Sequence, residues 1–144
     1  MRKWITICLV LFSLVGCSQV RSSELEKEIT KCIQSGQFTF ELNQVTNFEW
    51  TKAYLFTPYT TSQMMEEEMG ISFKDVSKLS ERDDIELLVF VDERKMEVVQ
   101  TAQLLRLEGT YSFEKGTYAT PENDTFYFTN WDSTSQHIIQ SGTD

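Results

Sequence analysis

The run Ile85-Glu86-Leu87-Leu88-Val89-Phe90-Val91 limits what this chain can become more than any other stretch. Large and β-branched apolar side chains dominate it, a composition that suits an extended, packed strand. The charged Asp92-Glu93-Arg94-Lys95 follows, and then residues 96–105, with a weaker alternation through Met96, Val98 and Thr101. Two strands joined by a short polar connection make a β-hairpin, so the fold contains an antiparallel sheet.

More strands follow from the same reasoning. In residues 50–56, Trp50, Lys52, Tyr54 and Phe56 share one face, while Thr51, Ala53 and Leu55 share the other. Both faces carry apolar groups, as an interior strand requires, and Pro58 ends the run because proline has no N–H for the ladder. Upstream, Phe38 and Phe40 alternate with Thr39 and Glu41 before a turn at residues 43–47. Residues 104–113 read as a further strand with Gly109 at a bend or bulge, Lys115-Gly116 as a turn, and residues 125–129 as the last strand.

Two helices frame these strands. The first covers residues 23–35: Ser22 or Ser23 caps it, Glu24 and Glu26 suit its first turn, and Gly36 stops it. Leu25, Ile29, Cys32 and Ile33 recur at helical spacing and make one buried stripe. The second is capped by Thr60, Thr61 or Ser62 and runs to Met69 before Gly70, with Met64, Met65 and Met69 turned inward. Within residues 71–84, Phe73, Val76 and Leu79 suggest a helical turn. The expected fold is therefore α+β: an antiparallel sheet of about five strands, an N-terminal helix packed on one face and a short second helix.

The N-terminus carries a different message. Arg2 and Lys3 precede an apolar run over residues 4–15, broken only by Thr6 and Ser13, and then come Gly16 and Cys17. Cations that stay at the cytoplasmic leaflet, a run that enters the bilayer and small residues at a cleavage point are the parts of an export signal. Spanning a bilayer takes about 20 apolar residues, and this run is too short to stay as a transmembrane helix. Leu14-Val15-Gly16-Cys17 resembles the bacterial lipobox at all its positions. That resemblance implies cleavage before Cys17, a diacylglycerol on its thiol, and a lipid-anchored location at the extracytoplasmic face of the cell membrane. The expected organisation is a signal peptide at 1–16, a lipidated tether at 17–22, a single α+β domain at 23–130 and a loose, Ser/Thr-rich tail at 131–144. A second resemblance lies in residues 48–59, Phe48-Glu49-Trp50-Thr51-Lys52-Ala53-Tyr54-Leu55-Phe56-Thr57-Pro58-Tyr59. They resemble a segment of small bacterial envelope lipoproteins in which a Trp-Asp pair leads an aromatic strand into a Pro-Tyr turn. Here Thr51 stands where that acid usually does, and the resemblance implies a class of envelope protein without naming a reaction.

Losing residues 1–16 removes Arg2 and Lys3 and moves the formal net charge from −9 to −11. Such a surface disfavours nucleic acid and anionic headgroups and speeds encounter with a cationic partner. Cys8 leaves with the signal and Cys17 is consumed by lipid, so Cys32 has no partner for an intramolecular disulfide and reads as a buried core residue. Catalytic groups are scarce. The one histidine, His137, lies in the tail, and the glycines stand too far apart for a phosphate-cradling loop. Asp83-Asp84 and Glu122-Asn123-Asp124 are the acid pairs a hydrolase or a calcium site would draw on, yet neither has calcium-loop spacing. Glu66-Glu67-Glu68 point in different directions around a helix and form a solvated face. The expectation is a monomer with no catalytic, cofactor-binding or metal-ligating residues. It would bind a protein or small ligand outside the membrane through exposed aromatics among Trp50, Tyr54, Tyr59 and Trp131 together with the acidic patches, with core packing the competing role, more for Trp50 and Tyr54 than for Trp131. Two alternatives are an inhibitor or immunity protein against a cationic envelope-active enzyme or toxin, and a hydrolase using paired carboxylates.

The anchor is tested by fractionating cells fed labelled fatty acid. Wild type should carry label and sediment with membranes, and Cys17→Ala should do neither, because two acyl chains make attachment stable where one is marginal. Unlabelled wild-type protein in the medium would mark the signal as an ordinary secretory one.

Overall fold

The computed structural model describes residues 21–132. They run α1 (Ser23–Gln34), β1 (Thr39–Glu41), α2 (Leu42–Val45), β2 (Lys52–Phe56), α3 (Ser62–Met69), β3 (Ile85–Asp92), β4 (Glu97–Leu105), β5 (Gly109–Phe113), β6 (Tyr118–Ala119) and β7 (Thr125–Asn130). The expected signal peptide, Cys17, His137 and nearly all of the expected tail lie outside the described residues.

Every residue of β3 is buried, because the strand is covered on both faces. It pairs antiparallel with β4 on one side and β2 on the other, and β6 extends β2, giving the order β4-β3-β2-β6. Leu88 and Phe90 face a core shared with Leu25 and Ile29 of α1 and with Phe126 and Phe128 of β7. Ile85, Leu87, Val89 and Val91 face a second core with Met65 and Met69 of α3 and with Leu79. Full burial of a large apolar side chain contributes about 1.5–3 kcal/mol, so β3 stabilises both layers at once. The hairpin expected around residues 85–105 is therefore the centre of the molecule. Its turn is fixed by Asp92, whose Oδ1 accepts from the Arg94 backbone N–H at 3.0 Å.

The helices form where capping chemistry places them. The Ser22 hydroxyl accepts from the Leu25 N–H at 3.2 Å and starts α1. The Thr61 hydroxyl accepts from the Met64 N–H at 3.2 Å, and Gly70, at φ 67°, closes α3 in the left-handed region. Just before α1 the chain meets the free side of β4. Arg21 bridges Thr101 in parallel, the Ser22 N–H donates to the Thr101 carbonyl at 2.8 Å, and the Gln103 N–H donates to Glu26 Oε1 at 2.9 Å.

The single sheet of about five strands is not what forms. The described residues form two sheets, one of four strands and one of three in the order β1-β7-β5. The strand expected across residues 104–113 breaks at Arg106-Leu107-Glu108, and its second half leaves β4 to pair with β7. Gly109 marks the change for a packing reason. A Cβ there would lie 2.2 Å from the Thr129 carbonyl oxygen and 2.6 Å from Cζ of the Phe128 ring, so only glycine lets β5 and β7 approach this closely.

Smaller corrections follow the same pattern. Met64 is exposed while Met65 and Met69 are buried, since residues four apart share a helix face and Met64 falls beside it. The turn expected at residues 43–47 is largely the short helix α2. Residues 71–84 contain one 3-10 turn, Leu79–Glu81, and Val76 is exposed. The Asp75 carboxylate holds this segment by accepting from the Ser77 N–H at 2.8 Å and the Leu79 N–H at 2.9 Å. Cys32 is only partly buried, packed at the margin of the first core.

Both cores draw their buried side chains from residues 25–128, so a chain of residues 18–144 keeps every one of them. Gly109→Ala in that chain should cost about 1–3 kcal/mol, the range for forcing extra atoms into a packed site. Urea denaturation should show a lower midpoint with an unchanged slope, and an unaltered midpoint would refute the close approach of β5 and β7.

Candidate functional site

A cleft of about 710 Å³ opens between α3 and β5, where the two sheets diverge. Leu55 and Phe56 at the end of β2 and Tyr111 and Phe113 of β5 form its apolar walls, and Met64, Glu67 and Glu68 of α3 line its rim. The helix arrives in this orientation because Met65 and Met69 bury the adjoining face. Glu66 is turned away: its Oε1 accepts from the Phe73 N–H at 2.7 Å and braces the segment after α3. The acidic triplet therefore splits, one carboxylate serving the fold and two facing solvent at the cleft. Met64, 54% exposed, stands beside them.

Tyr111 is the most constrained group in this wall. Its hydroxyl donates to the Leu105 carbonyl at 3.2 Å, and its ring stacks on Phe126 with centroids 5.7 Å apart. Its N–H donates to Glu86 Oε2 at 3.1 Å, and the Thr110 hydroxyl donates to Glu86 Oε1. Arg106 Nε lies 3.2 Å from that same carboxylate, but its N–H is not aligned for a hydrogen bond, so the contact is a Coulombic pairing. Burial, and secondarily the Glu86 charge, push the Tyr111 phenol up to about 12.

The residues singled out by sequence separate into different roles. Trp50 and Tyr54 are core: Trp50 packs edge-on against Phe90 with centroids 5.2 Å apart and donates from Nε1 to the Thr46 hydroxyl. Tyr59 is 62% exposed in the connection between β2 and α3. Trp131 is exposed just after β7, with its indole N–H donating to the Arg106 carbonyl at 3.3 Å. These two aromatics stand on separate elements and do not form one surface with Trp50 and Tyr54. A second cleft of about 520 Å³ includes Trp50, Thr51 and Lys52, together with Glu93 and Arg94. Thr51 closes the strand end there, accepting from the Glu93 N–H at 2.8 Å and donating to the Val91 carbonyl at 3.2 Å.

One carboxylate of each acid pair is committed to the fold, while Asp83 and Glu122 are exposed. Asp84 pairs with Arg82 at 2.6 Å, and the neighbouring guanidinium holds its carboxyl below the usual carboxylate range. Asp124 is buried, and its Oδ2 accepts from the Asn43 N–H at 2.8 Å at the start of α2. Among the described residues, no three His, Cys, Asp or Glu side chains group as metal ligands would. None of their helices is long and apolar enough to cross a membrane.

The cleft itself was not visible in the sequence, because Leu55 and Phe113 read as ordinary strand residues. The one signal available was the position of Met64 off the Met65 and Met69 stripe. Compared with family models, curated proteins and solved structures, the chain finds no significant match.

A phenol whose ionisation is raised by folding contributes stability that is full below the unfolded value near 10 and is lost as pH climbs toward about 12. Wild type should therefore lose stability over that window more steeply than Tyr111→Phe, measured by urea midpoints at each pH. Parallel curves for the two proteins would contradict the buried, charge-flanked setting of Tyr111.

Proposed function

We propose that this protein is a lipoprotein, held at the extracytoplasmic face of the cell membrane by a diacylglycerol on Cys17, whose α+β domain binds a partner without catalysing a reaction. The observation that carries the binding half is the cleft between α3 and β5. Its lining sets Leu55, Phe56 and Phe113 among the hydroxyls of Thr57, Thr60, Ser112 and Thr117, it presents Glu67 and Glu68, and the exposed Met64 adapts to varied apolar contacts. That combination suits a cationic protein segment that buries one apolar side chain and meets carboxylates at the edge. The overall negative charge supports the same partner class by steering its approach. The anchor half is supported by the lipobox resemblance of Leu14-Val15-Gly16-Cys17. A hydrolase built on the acid pairs draws less support, since Asp84 and Asp124 already have structural partners.

The binding reading is tested with the full chain in envelope vesicles and a photoreactive residue in place of Met64. Crosslinks should form to a basic protein, weaken as salt rises, and fall at least tenfold when Glu67→Lys and Glu68→Lys are combined. Crosslinks that persist in that variant, or that capture only acidic proteins, would refute it.

A further inference from the structure

Two more clefts meet at Arg21, where the chain enters the fold. One, about 560 Å³, lies against α1 and presents Arg21, Lys27, Lys31 and Arg82 with the single carboxylate Glu26. Arg21 pairs with Glu26 through two hydrogen bonds at 2.7 and 2.9 Å, and Glu28 and Asp84 pair with Lys31 and Arg82 from outside the cleft, which leaves Lys27 as its cation without a carboxylate partner among the described residues. The other, about 370 Å³, runs between residues 72–77 and the turn joining β3 to β4, where Phe73, Val76, Met96 and Val98 make it largely apolar. At its mouth Val76 and Met96 are 57% and 61% exposed. Met96 also sits at φ 53°, a left-handed conformation unfavourable for a long side chain, and it is displayed at the tip of the hairpin. A cleft whose basic side chains outnumber the carboxylates paired with them by one, beside an apolar cleft, stands apart from the acidity of a chain of formal net charge −9.

We propose that the face around Arg21 is a membrane-docking surface for anionic phospholipid, with headgroup phosphates at Lys27, Lys31 and Arg82 and acyl chains against Val76 and Met96. This deepens the proposed function and rests on its reading of Cys17 as the anchor. Only three residues lie between Cys17 and Arg21, so four steps along the chain reach at most about 14 Å, and an anchored chain presents this face to the bilayer before any other. Basic side chains beside apolar ones are the pairing that interfacial membrane contacts use. Elsewhere the acidic surface is repelled by anionic headgroups, which fixes the orientation. Arg21 sits on the β4 side of the four-stranded sheet, whereas the acidic cleft draws on β2 and the turn leading into β6, at the other side. Docking by the Arg21 face therefore leaves the acidic cleft open to the extracytoplasmic space.

The test is flotation of residues 18–144, which lack the anchor and retain both cores, with vesicles of phosphatidylglycerol or of phosphatidylcholine. Binding should be at least tenfold stronger to phosphatidylglycerol, and should fall at least tenfold with Lys27→Glu plus Lys31→Glu and with Val76→Asp plus Met96→Asp. Tyr59→Asp, on an exposed aromatic outside this face, should leave it unchanged. Equal binding to both vesicles, or indifference to both double variants, overturns the proposal. Hydrogen exchange of the full chain in phosphatidylglycerol nanodiscs gives a readout independent of variant folding: protection should appear at residues 72–77 and 93–97, and its absence there also overturns the proposal. The mass of the N-terminal peptide from the same full chain reports the anchor separately. Missing protection in a chain whose Cys17 is acylated condemns the face and not the anchor.

Discussion

A carboxylate with almost no access to solvent joins the two sheets of this protein. Glu86 projects from the central strand toward β5, where the Tyr111 N–H and the Thr110 hydroxyl donate to it and Arg106 stands beside it. Burying a carboxylate is costly unless hydrogen bonds and a cation replace the lost water, and here both are supplied by the segment that leaves β4. The chain turns off the larger sheet at Arg106, the residue that provides the cation, and re-enters as β5 at the residues that provide the donors. The position of Tyr111, and with it one wall of the acidic cleft, follows from this pairing.

Local chemistry made much of the architecture readable from sequence, and distant pairing concealed the rest. The hairpin of β3 and β4 was legible because its signals are contiguous, and α1 and α3 because Ser22, Thr61 and Gly70 perform capping that short-range geometry dictates. The division into two sheets was not legible. It depends on Phe40 finding Phe126 across the length of the domain, and on Gly109 yielding space to Thr129 and Phe128. The short strand β6 carries too few residues to show an alternation of its own. Met64 shows how fine the margin is, since one step along a helix turns a side chain by about 100° and moves it from core to cleft.

The candidate site was hidden for a related reason. Its walls come from β2, α3 and β5, three elements whose sequences are separately unremarkable for binding. Aromatic residues drew attention first, yet Trp50 and Tyr54 went to the cores because both faces of the four-stranded sheet are covered. What the sequence did disclose was charge. Net acidity is a bulk property that counting reveals, whereas its uneven distribution, with Lys27 and Lys31 along one helix and Glu67 and Glu68 along another, requires the fold.

The contacts of Ser22 and Glu26 with β4 bear on a hazard common to sheet proteins. An outermost strand offers unpaired amide and carbonyl groups that can template the addition of another chain. On β4 the Thr101 carbonyl is taken by the Ser22 N–H and the Gln103 N–H by the Glu26 carboxylate. The opposite border, β6, spans only Tyr118–Ala119. Fibril-like growth through the larger sheet thus finds one border interrupted at Thr101 and Gln103 and the other too short to hold a new strand.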